Sequence, residues 1–252
     1  VKAGPDLHLD LVECFSQLGY QSFRLIPGLN VLVPFVTEQN VDGYLLNLFA
    51  AKPDRIAAMR TNGWLINDPE PVLPIEVDLD CEAVRQILQN KVCGKSLAWH
   101  TKDPVILLEQ AIVRRSFQSW GLSQCKDFPV FKRYGALVHS YSVLLEEFRS
   151  GPNLGVLALL ARVASDLGER SVAVHALEVL IAELQSGQIL ESGALFIAPS
   201  ASFDIIFPTG KYEDWLESAA LASYEKLIAF SGFYQLEESK SRLDRFFALG
   251  YT

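Results

Sequence analysis

The chain has 252 residues, half of them apolar and 21% charged, which is enough to bury a substantial core and too apolar for a disordered protein. With 22 Lys and Arg against 30 Asp and Glu, the net charge is −8; this argues against a nucleic-acid partner, because phosphate binding needs clustered cations. Cys14, Cys81, Cys93 and Cys125 are scattered rather than paired, and "VKAGPDLHLD" lacks the pattern of a secretory signal, so the expected setting is reduced and cytoplasmic.

Between Asp6 and Leu18 the apolar residues Leu7, Leu11, Val12, Phe15 and Leu18 recur at helical spacing, with Asp6 placed to cap the start and Gly19 to end it. The period then changes. "YQSFRLI" and "LNVLVPF" are rich in β-branched and aromatic residues and flank Pro27-Gly28, which predicts a β-hairpin. An isolated hairpin is marginal in water, so this one must pack on something larger. After it comes an apolar segment, then a short helix begun by Pro53 and Asp54 and stopped near Gly63. "NDPEPVLP" is the best linker candidate. It divides the chain near residue 70 into an α/β unit over 1–70 and a helical unit over 71–252.

Beyond the linker the pattern predicts helices near 79–90, 103–119, 129–149, 154–167, 169–186, 211–231 and 238–248, so the fold class is mainly α with a small N-terminal α/β part. The densest apolar run, "LGVLALLARVA", is interrupted by Arg162 and is too short for the roughly 20 residues of a membrane span. Around Gly168 the sequence reads as an αα-hairpin, with Ala173 letting the second helix approach the first. Ala161, Gly168, Ala173 and Leu177 stand near the packing positions of a tetratricopeptide unit. No second clear copy follows, and an ordinary helical hairpin in a bundle fits equally well. Residues 191–211, rich in Gly, Pro and Ser, predict a long loop of the kind that is either functional or packed on itself.

A search for chemistry returns no catalytic, cofactor-binding or metal-binding residue. "FPTGKY" departs from a phosphate-binding loop, with Ile205 where the first Gly belongs and Tyr212 where Ser or Thr belongs. No G-x-G-x-x-G occurs, and His8, His100, His139 and His175 show no zinc spacing. Tyr212, Trp215, Leu216, Ala219 and Ala220 form one helical side that reads as core, and Arg114-Arg115 reads as solvated surface.

The order helix, Gly-Tyr, strand, Pro-Gly, strand in "HLDLVECFSQLGYQSFRLIPGLNVLVPF" resembles the end of a class I methyltransferase of the FkbM family: the last helix and the closing antiparallel strands of its sheet. "LLNLFAAKPDRIAAMRTNGWLI" and the later helices are similar to the C-terminal extension of some members. The resemblance implies that the chain is the C-terminal portion of a longer S-adenosylmethionine-dependent methyltransferase acting on a hydroxyl, the cofactor being held by upstream Gly-rich and acidic segments. No site residue is carried over, so this chain itself is expected to hold no cofactor. Its expected role is a scaffold that binds a protein partner, the methyltransferase body or the acceptor, with self-association as a further expectation. The alternative is a stand-alone, tetratricopeptide-like interaction module.

Overall fold

The computed structural model describes residues 9–36, 48–66, 82, 86–87, 111–151, 153–189, 196–228 and 236–251. These are mainly helical, with one small antiparallel sheet. Helix α1 (Leu9–Gln17) leads into strands β1 (Gln21–Ile26) and β2 (Val31–Pro34), followed by β3 (Phe49–Ala51) and helix α2 (Pro53–Thr61). The helical body comprises α3 (Ala111–Gln124), α4 (Val130–Ser150), α5 (Leu154–Leu167), α6 (Arg170–Gln185), α7 (Tyr212–Ile228) and α8 (Leu236–Ala248), with a 3₁₀ turn at Ala201–Asp204.

The hairpin forms where the sequence places it, in the register Phe23↔Pro34 to Ile26↔Val31. Its turn differs from the expectation in one respect. The left-handed residue is Asn30, at φ 55°, whereas Gly28 has no positive φ. The need for glycine at 28 comes instead from contact: its N–H donates to the carbonyl of Asp166 at 2.7 Å, and a Cβ there would lie 2.6 Å from the Asp166 Cβ.

The expected apolar segment before α2 supplies β3, which pairs with the other edge of β1 and gives the order β2-β1-β3. Three residues are too few for period-2 alternation to be recognised in sequence. Residues 64–66 meet the outer side of β2: Leu32 donates to Trp64 O at 2.8 Å and accepts from Ile66 N at 3.0 Å.

Because side chains alternate across a strand, the sheet has two covered faces. Phe23 packs with Ile56 and Leu65, against α2. Ile26, Val31 and Val33 face the helices and join a core that runs through Phe117, Trp120, Leu137 and Leu160 to Trp215.

Helices α5 and α6 form the expected hairpin. Asn153 caps α5 by accepting from Val156 N, and Gly168 ends it in the left-handed region at φ 86°. Ala161, Ala173 and Leu177 are fully buried at the crossing. Helix α3 continues five residues past the expected end at 119, through Gly121, because burial of Trp120 and Leu122 outweighs the poor helix propensity of glycine. The helix expected near 79–90 and the linker at 67–74 lie outside the described residues, apart from Glu82, Gln86 and Ile87, which are helical. No helix among the described residues is long and apolar enough to cross a membrane.

The contact at Gly28 sets a test. Gly28→Ala overpacks the hairpin against Asp166 and lowers stability by about 1–3 kcal/mol in urea unfolding. Gly210→Ala, where an added Cβ meets nothing within 4 Å, changes stability by less than about 0.5 kcal/mol.

Candidate functional site

Three features of the described surface and interior deserve a chemical reading: a buried ionic seam under the hairpin, a polar groove between α6, α7 and α8, and the outward side of α1.

The seam is centred on Asp166 in the last turn of α5. Its carbonyl receives Gly28, and its carboxylate accepts from Trp120 Nε1 at 2.8 Å and lies 3.6 Å from Arg162 Nε. Arg162 is 6% exposed, and its guanidinium stacks over the Trp120 ring at 5.4 Å. It donates from Nη1 and Nη2 to the two carboxylate oxygens of Asp204, at 3.2 and 3.0 Å, and from Nη1 to the Ala198 carbonyl at 3.1 Å. From the hairpin side, Arg24 donates to Leu167 O and to Glu169 Oε1, at 3.3 and 3.2 Å. Arg24 also hydrogen-bonds Tyr134, whose hydroxyl is nevertheless pushed above its ordinary pKa because burial dominates. The seam joins the hairpin, α3, α4, α5 and the segment 198–204. With its charges paired, it offers a substrate no reactive group.

The groove between α6, α7 and α8 has a volume of about 350 Å³, a floor of Ile181, Ala182 and Leu221, and walls that include Tyr224, Arg242 and Arg245. Buried Glu217 accepts from Arg245 Nε and Nη2 at 2.8 and 2.6 Å and from Gln185 Nε2 at 3.0 Å. Burial pushes the Glu217 carboxyl up, but the hydrogen bonds from Arg245 and Gln185 and the charge of Arg245 outweigh it and hold it below the usual range. Arg242 pairs with Glu225 and lies over the Tyr224 ring at 5.1 Å, and the Tyr224 hydroxyl donates to Glu178 at 3.0 Å. The groove can make hydrogen bonds and apolar contact. It brings together no nucleophile and base.

Helix α1 buries none of its residues. Leu9, Leu11 and Phe15 are 38%, 43% and 43% exposed, and Leu18 just beyond the helix is 63% exposed. Of the stripe that sequence periodicity marks as a packing face, Leu11, Phe15 and Leu18 are therefore largely open to solvent, while Val12 is half-buried and Leu7 lies outside the described residues.

The residues weighed in sequence are dispersed. Trp215, Leu216, Ala219 and Ala220 are core, while Tyr212 is 41% exposed. Arg115 is exposed and Arg114 half-buried on α3. His139 is half-buried on α4, its pKa lowered by burial and by Arg115, and His175 lies edge-on to Phe148. Cys14 is exposed and Cys125 buried; Cys81, Cys93, His8 and His100 lie outside the described residues. Among the described residues no group of three or more His, Cys, Asp or Glu could hold a metal ion. Among the described residues no Gly-rich loop joins a strand to a helix. Sequence reasoning missed Arg162, Asp166 and Asp204; a charged residue inside the densest apolar run was the available signal.

No family model matches the chain, and no curated protein or solved structure matches it either.

Two tests follow from the charged pairs. Arg162→Met leaves the partly buried carboxylates of Asp166 and Asp204 without their cation and costs about 3 kcal/mol, whereas adding Asp204→Leu recovers part of that loss in a double-mutant cycle. For Glu217 the folded pKa lies below the unfolded one, so its contribution is present above about pH 4.3 and is lost as pH falls through the lower folded value. Urea unfolding at a series of pH values should therefore show a shallower acid slope for Glu217→Gln than for the native chain.

Proposed function

We propose that this chain is the C-terminal scaffold of an FkbM-like, S-adenosylmethionine-dependent methyltransferase, presenting α1 to a catalytic body that holds the cofactor. The observation that carries this reading is the largely uncovered apolar side of α1. An amphipathic helix gains its stability mainly from tertiary burial of that side, and here the side is covered only in part, by Val12 and the Phe15–Tyr20 contact, with none of the helix fully buried. The order α1, β1, Pro-Gly, β2 also agrees with the resemblance. The flanks of the hairpin are taken by β3 and by residues 64–66, so the docking contact is assigned to α1 rather than to extension of the sheet.

In this reading the chemistry belongs to the catalytic body: an acceptor oxygen attacks the sulfonium methyl, and alignment supplies much of the rate. This chain contributes position, in the cytoplasm and without nucleic acid or membrane. The groove between α6, α7 and α8 favours a second reading, a stand-alone helical interaction module that seats a peptide segment there.

Calorimetry of residues 1–252 with S-adenosylmethionine should give no binding heat, and tight binding would overturn the scaffold assignment. The coding region around this chain should encode a Gly-rich strand-loop-helix. Coexpressed with that body, the chain should copurify with it and should lose it on Leu11→Ser with Phe15→Ser. A coding region without such a segment would favour the module instead.

A further inference from the structure

From Phe196 onward the segment expected as a long loop is packed, and it carries the anchor for the end of α8. Phe196, Ile197 and Ala198 are buried, and Trp215 Nε1 donates to Ile206 O at 2.8 Å. Phe203, 2% exposed, meets Trp215, Phe246 and Tyr251 in one aromatic knot. Tyr251 is buried there, and its hydroxyl accepts from Thr209 N at 3.0 Å. The chain just past α8 is thereby pinned.

The body of α8 is held differently. From Ser239 to Ala248 no side chain is buried; Phe246 is half-buried, and Leu243 and Phe247 are 44% and 60% exposed. The helix is joined to α7 through charge, with Arg245 on Glu217 and Arg242 on Glu225 and over the Tyr224 ring. Towards α6 it faces the groove of about 350 Å³ rather than a packed interface. Helix α7, by contrast, buries Trp215, Leu216, Ala219, Ala220 and Leu221 and is held by the core.

A segment with few buried apolar contacts opens at a lower free energy than the body that carries it. A helix of 13 residues is marginal in water once it leaves its support, so undocking and melting coincide. We propose that α8 is a strap across the groove, latched by Arg242 and Arg245, which undocks as a unit while Tyr251 stays in the aromatic knot and the rest of the chain stays folded. Its release removes one wall of the groove and opens the floor of Ile181, Ala182 and Leu221 from that side. Glu217 then loses Arg245 and keeps Gln185 as its donor. The strap thus sets how wide the groove stands. This inference rests on the attachment of α8 and is independent of both functional readings above.

The test is native-state hydrogen exchange of the whole chain, read by mass spectrometry on peptides from α5, α7, α8 and the β-hairpin. Relative to their intrinsic rates, amides 242–247 of α8 should exchange about a hundredfold or more faster than amides 216–221 of α7. Arg245→Gln removes a charge-assisted pair and should quicken α8 a further tenfold or so, about what such a bond contributes. Exchange in α5 and the hairpin should stay unchanged, which shows that the variant is folded. Replacing both partners, Glu217→Met with Arg245→Met, should return α8 toward the native rate, because an apolar pair can hold where a lone buried charge cannot. Native α8 exchanging in step with α7, an Arg245→Gln chain with unaltered α8 or with α8 and α5 quickened alike, or a double Met variant as loose as Arg245→Gln would each overturn the proposal.

Discussion

The carboxyl end of α5 holds this structure together. Asp166 there uses its carbonyl for the β-hairpin and its carboxylate for Trp120 and Arg162, and Arg162 in turn carries the segment that ends at Asp204. A charged cluster of this kind is a weak source of net stability, since desolvation offsets most of the attraction. Its effect is on arrangement: each charge has one geometry in which it is paired, and alternatives leave it buried and unpaired. An apolar core alone tolerates many repackings. Here the ionic seam selects the one in which hairpin, α3, α5 and the 196–204 segment meet.

Glycine at two positions makes that meeting close enough. Gly28 lets the hairpin turn reach the Asp166 backbone. Gly168 turns the chain between α5 and α6 and, with no Cβ, leaves room for Leu25 O and Pro27 at distances of 3.2 and 3.3 Å from where that atom would stand. The two loops interlock through their least bulky residues, and Arg24 closes the contact by reaching Leu167 and Glu169.

Local structure was largely legible in the sequence because its causes are local. Helical spacing, Gly168 and the strands around Pro27 mark elements that form as expected. What could not be read depends on distance along the chain. Arg162 and Asp204 are 42 residues apart, and nothing in either neighbourhood names the other. Gly28 was legible as a turn residue but not as a contact residue, because its neighbour at Asp166 is supplied by the fold. The stripe on α1 was read from its period, which predicts an apolar side but cannot say what covers it. The candidate site was harder still: the groove is assembled from three helices, and its residues have no spacing signature.

The pairing of Arg24 with Leu167 spans 143 positions of the chain. At about 5–20 residues per second, a ribosome needs roughly 7 to 30 s to make the second partner after the first. During that time the nascent β-ribbon lacks the end of α5 on which its turn docks, and its inward-facing Ile26, Val31 and Val33 are incompletely covered. Late docking is thus imposed by topology, and this protein's exposure to chaperones during synthesis is set by the length of chain between its two most intimate loops.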